Sequence, residues 1–114
     1  MADIKVLKID ENKSHPSDSN PFYSLVLSAK PDQSWNNNFQ EVHSRKRLTE
    51  VMNLRIEGNP GNVLTLNTAP GVSGEQMLQI VQGLLADTNA KEDAFMTEIQ
   101  RLNEKLAAQT AAPN

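Results

Sequence analysis

Between Gly74 and Ala108 the chain carries one helical pattern that is longer than a domain of this size can cover. Leu78, Val81, Leu85, Thr88, Glu92, Phe95, Ile99, Leu102 and Leu106 follow one another at alternating spacings of three and four, a heptad register. At 1.5 Å per residue such a helix is about 50 Å long. A compact chain of 114 residues has a radius of gyration near 13 Å and a diameter of roughly 35 Å. A straight helix therefore overhangs its own domain, and its apolar stripe needs a cover. The other solution is a break near residues 87–91, with the second half folding back.

The two halves of the pattern differ. Met77, Leu78, Ile80, Val81, Leu84 and Leu85 spread over a wide arc, as a helix docked on a sheet requires. Phe95, Ile99, Leu102 and Leu106 form a narrow stripe, as in a seam between helices. Polar residues 87–93 interrupt the stripe between them, at Thr88 and Glu92. The flanking positions carry no evident complementary charge code: Gln82, Asn89, Met96 and Asn103 stand on one side, Leu84, Lys91, Glu98 and Lys105 on the other. Gly83, mid-helix, costs about 1 kcal/mol against alanine and is expected to mark a close approach of two elements.

The remaining chain supplies the sheet. Ile4, Val6, Leu7 and Ile9 suggest a short first strand, and residues 11–21 have the composition of a mobile loop. Phe22–Ser28 reads as a central strand, with Tyr23, Leu25 and Leu27 on one face and Phe22 and Val26 on the other. Asp32 or Ser34 then caps a helix whose buried face is Trp35, Phe39 and Val42. Met52, Leu54 and Ile56 alternate with Asn53, Arg55 and Glu57 as a half-buried strand. A turn over residues 58–62 returns the chain through Val63–Asn67, with Leu64 and Leu66 inward. Ser73 and Gln76 have capping-box spacing at the start of the long helix; residues 109–114 should fray. The expected fold is α+β: a single domain over residues 1–114, in the order ββαββα. Its four-stranded, mostly antiparallel sheet has helices on one face and a long C-terminal helix.

Chemistry-bearing patterns are sparse. The chain has no cysteine, which removes disulfides and thiolate chemistry and suits the cytoplasm. The N-terminus lacks the apolar run of a signal peptide, and no segment is apolar for the length of a bilayer. A net charge of −3 argues against general nucleic-acid binding. His15 and His43 have no partners at metal-ligand spacing and read as surface histidines, so no metal is expected. No nucleophile–base arrangement or nucleotide fingerprint is present, and neither enzymatic activity nor a cofactor is expected. Gly71–Gly74 resembles an anion-holding helix entry, but Glu75 in the first turn opposes a phosphate there.

The one dense basic cluster is Arg45, Lys46 and Arg47, which Arg55 on the outer sheet face could extend. Arginine forks suit a small anionic or nucleotide-like ligand or an acidic partner protein. Positive charge at a helix C-terminus is equally a response to the dipole. The sequence thus points first to a non-catalytic module that assembles with itself through Phe95, Ile99, Leu102 and Leu106. Anion binding by the basic cluster is the alternative.

Overall fold

The computed structural model describes residues 3–15, 20–57 and 61–110. The elements are β1 (Val6–Ile9), β2 (Phe22–Leu27), α1 (Gln33–Lys46), β3 (Val51–Glu57), β4 (Val63–Thr68) and α2 (Gly74–Thr110). The sheet has the order β1-β2-β4-β3, and every pairing is antiparallel. The α+β fold and the order ββαββα are those expected from sequence. The turn expected at residues 58–62 lies partly outside the described residues, at 58–60.

The central strands follow simple alternation. Leu25 stands opposite Leu64 and Tyr23 opposite Leu66, so one face of the pair is continuous hydrocarbon. Trp35 and Phe39, stacked at 5.3 Å between ring centroids, cover it from α1. Met77, Val81, Leu84 and Leu85 cover it from α2, and all of these side chains join one buried cluster. Both helices therefore lie on the same face of the sheet.

The two edge strands depart from alternation, each by a bulge. In β1 the register slips between Val6, opposite Leu27, and Lys8, opposite Val26, leaving Leu7 66% exposed. In β3 it slips between Met52, opposite Asn67, and Arg55, opposite Thr65. Asn53 takes up the extra residue in a left-handed conformation, φ 57°, which asparagine tolerates better than most residues. Of the expected inward set Met52, Leu54 and Ile56, Leu54 and Ile56 do join the core and only Met52 is corrected. Val51 and Leu54 are buried, whereas Met52 shares the outer face with Asn67. Bulges of this kind twist an edge away from unwanted pairing.

The caps are as the sequence implies. Asp32 Oδ1 accepts from Trp35 N at 2.8 Å. Ser73 Oγ accepts from Gln76 N at 3.1 Å while Gln76 Oε1 accepts from Ser73 N at 2.9 Å. Arg47 ends α1 in the left-handed region, φ 50°. The segment expected to be a mobile loop, 11–21, is tied down at both of its described ends. Asp10 Oδ1 accepts from Asn12 N and Lys13 N, and His15 and Phe22 exchange both backbone hydrogen bonds at 2.9 Å. Residues 16–19 lie outside the described part.

Helix α2 is unbroken over 37 residues, about 55 Å at the usual rise. The molecule measures 72 × 28 × 17 Å with a radius of gyration of 18.0 Å, well above the value near 13 Å of a compact chain of this length. Gly83 lies on the solvent side of the helix, and a Cβ built there meets nothing within 4 Å. The close approach expected at Gly83 is not present.

Candidate interaction surface

The buried stripe of α2 changes character along its length. Over Met77–Leu85 it is hydrocarbon against the sheet. At Thr88 and Glu92 it becomes polar, yet both residues are buried. Thr88 Oγ1 donates to Leu84 O at 2.7 Å, so its hydroxyl is satisfied within the helix. Glu92 Oε2 accepts from Ser34 Oγ at 3.3 Å and from Asn38 Nδ2, both on α1. Next to them Asn89 uses both ends of its amide. Its Oδ1 accepts from the Trp35 indole Nε1 at 2.9 Å and from Ile4 N at 3.2 Å, and its Nδ2 donates to Ile4 O at 3.0 Å.

This polar layer joins three segments that are far apart in sequence: the lead into β1, the first two turns of α1 and the middle of α2. Ion pairs flank it, Lys46 with Asp87 at 2.7 Å and Lys91 with Glu41 at 2.9 Å. The Lys91 ammonium, hydrogen-bonded to Glu41, and the nearby Arg45 guanidinium hold the Glu41 carboxyl below its usual range. Of the polar residues that interrupt the heptad stripe, Glu92 binds α1 directly, and with Asn89 beside it adds a polar contact between α1 and α2 to the apolar one. The pairing of Ser34 and Asn38, one helical turn apart, with Glu92 was not read from the sequence. The spacing of polar residues on one face of α1 is the only signal that pointed to it.

Beyond Glu92 the helix leaves the body. From Ala94 to Thr110 every residue is exposed except Ile99, which is half-buried. Phe95, Leu102 and Leu106 are 54%, 43% and 56% exposed, and Met96 lies beside them. At 100° per residue, Phe95, Ile99, Leu102 and Leu106 continue the face that carries Met77, Val81, Leu84 and Thr88. The same side of α2 is thus covered by sheet, then by α1, and finally by none of the described residues. At the step between the first turns of α1 and the bare stripe is a hollow of about 460 Å³, bordered by Gln33, Asn37 and Phe95 among others.

The basic candidates are dispersed and mostly paired. Arg45 is held by Glu41 one turn earlier, Lys46 by Asp87, and Arg55 lies 3.8 Å from Glu57. Arg47, the left-handed residue closing α1, has no ion pair among the described residues. Arg55 stands opposite Thr65 on the outer face of the sheet, whereas Arg45–Arg47 end a helix on the inner face. The structure does not bring Arg55 to the cluster. On that outer face Ser24 and Thr65 are buried, Thr65 Oγ1 donating to Glu57 Oε2 at 3.2 Å. The face is less open than its polar sequence implies.

His15 stacks on Phe22, and His43 is half-buried near the end of α1. Among the described residues no three His, Asp or Glu side chains converge as a metal site would require. No helix among them is long and apolar enough to cross a membrane. Comparison with family models, curated proteins and solved structures gave no match.

Proposed function

We propose that this protein is a non-catalytic interaction module that assembles with itself through the projecting arm of α2, the seam being Phe95, Ile99, Leu102 and Leu106. The observation that carries the reading is the bare continuation of a buried helical face for some 17 residues past the last contact with the body. Single exposed apolar residues are ordinary on protein surfaces. A register-matched row on a solitary helix is not, because an isolated helix of that length is marginal in water without packing. A chain free of cysteine also suits a reducing, cytoplasmic setting.

The energetics favour reversible assembly. Each arm has five partly exposed apolar side chains, Phe95, Met96, Ile99, Leu102 and Leu106. Covering each of them in both arms is favourable by about 1 kcal/mol, or about 10 kcal/mol per pair. That is comparable to the 4–15 kcal/mol or so that association costs in lost freedom. The assembly should therefore depend on protein concentration. Replacing Ile99 and Leu102 by aspartate in both arms removes about 4 kcal/mol of this gain, about a thousandfold in Kd. Sedimentation velocity over a wide concentration range tests it: the wild type should gain mass with concentration and the double variant should not. A wild-type chain that sediments as a monomer throughout would defeat the proposal.

A further inference from the structure

The charges beside the seam select the direction in which two arms meet. Resting on the self-association proposed above, we infer that the arms pair antiparallel about a two-fold axis beside Gln100 and Arg101. Phe95 then packs against the partner's Leu106, and Ile99 against the partner's Leu102. The occupant of the bare stripe is a second copy of the same stripe.

In a two-stranded coil the residues flanking the apolar seam meet across it and decide orientation. One flank here carries Met96, Asn103 and Thr110; the other carries Lys91, Glu98 and Lys105. A parallel pair brings unlike flanks together. Lys91 would face the partner's Met96, Glu98 the partner's Asn103, and Lys105 the partner's Thr110, with no opposite charges meeting. An antiparallel pair brings like flanks together. Glu98 then faces the partner's Lys105, and the two-fold axis repeats the pair. On the opposite flank Met96 lies against the partner's Asn103, with no charge left against hydrocarbon.

The free chain has the groups ready for this. Lys105 has no ion pair among the described residues, and Glu98 holds Arg101 through exposed bonds of 3.1 and 2.5 Å that leave it open to a second cation. Register is fixed as well. In the centred register only the polar last turn, at Gln109, reaches the partner's Glu92; a shift of one heptad toward the body sets Leu102 there and drives two further turns of the arm against α1. A shift the other way sets Ile99 against the partner's Gln109. Only the centred register fills all four apolar layers. It also places the partner's Leu106 at Phe95, beside the hollow between α1 and the arm.

The test combines charge reversal with a distance. Glu98→Lys and Lys105→Glu should each weaken association about tenfold, since each turns two attractions into repulsions. The double reversal should return Kd to within about threefold of wild type, although it lacks the internal Glu98–Arg101 pair. Because the chain has no cysteine, Thr110→Cys provides a single spin-label position. Antiparallel arms separate the two labels by about 30 Å, parallel arms by about 10–15 Å. A dimer with the short distance and no charge rescue would overturn the antiparallel arrangement while leaving self-association intact. A monomer at every concentration would overturn both.

Discussion

Asn89 is the residue on which the junction of the three segments depends, and Asn89→Leu tests that dependence with the same branched outline of side-chain heavy atoms. The substitution removes three hydrogen bonds at once, to the Trp35 indole N–H and to the N–H and C=O of Ile4. Trp35 is only 2% exposed, so its N–H loses its partner without gaining water, at a cost of about 1–3 kcal/mol. Ile4 borders a cleft of about 480 Å³ that also touches Asn89. Water there can replace part of what its backbone loses, and the two bonds should cost about 0.5 kcal/mol each. The total is about 3 kcal/mol, which for a domain of this size lowers Tm by about 15 °C. The assay is urea and thermal unfolding followed by circular dichroism, at a protein concentration below that of assembly. A double-mutant cycle isolates the central bond. Trp35→Phe combined with Asn89→Leu removes donor and acceptor together, so the pair should be about 1–2 kcal/mol less destabilised than the sum of the singles. A loss under about 1 kcal/mol for Asn89→Leu, or strict additivity in the cycle, would refute the account of the junction.

Two further outcomes follow from single residues. Gly83→Ala should raise stability by about 1 kcal/mol, because Gly83 is an exposed helix position and the added methyl meets nothing; no gain in urea unfolding would indicate a contact at that face. Glu41, held below its ordinary value of 4.5 by Lys91 and then Arg45, contributes stability that is present above that value and lost as pH falls through its lowered one. Wild type and Glu41→Gln should therefore differ in stability near neutral pH and converge in acid. Added salt should shrink the difference because the group is exposed, and a gap independent of pH would contradict the pairing.

Much of the fold could be read because local signals and packing agree. Both helix entries are written in side chains, Asp32 for α1 and the Ser73–Gln76 box for α2, and both form as written. The central strands alternate cleanly since each must bury one whole face. The edge strands were harder, because a bulge changes the spacing of inward residues from two to three. Val6 with Ile9, and Val51 with Leu54, become same-face pairs that period-two reading divides. Nothing near Asn53 announces the left-handed residue except asparagine itself, which occurs in many other settings. The ion pairs of the basic cluster were hidden from the sequence for a different reason. Its carboxylate partners Glu41 and Asp87 lie one turn away on the same helix or on another element, and only folding brings Lys46 to Asp87.

The polar tract within α2 is the place where sequence and structure bear most directly on function. At the level of pattern, Thr88 and Glu92 are faults in an apolar seam, with Asn89 on its flank. In the folded chain Thr88 is satisfied within the helix by Leu84 O, and Asn89 and Glu92 by Trp35, Ile4, Ser34 and Asn38, groups that this chain's own α1 and N-terminal segment place there. A second helix carrying leucines opposite Glu92 would strand its carboxylate, a cost of several kcal/mol or so for an unpaired buried charge. The tract therefore divides the seam. Residues before it are covered by the sheet and α1, and residues after it are exposed, the half that the proposed assembly would use. A single polar layer in a coiled coil is the best-attested way to fix register. Here the same device would fix which half of one helix folds its own domain and which half joins two.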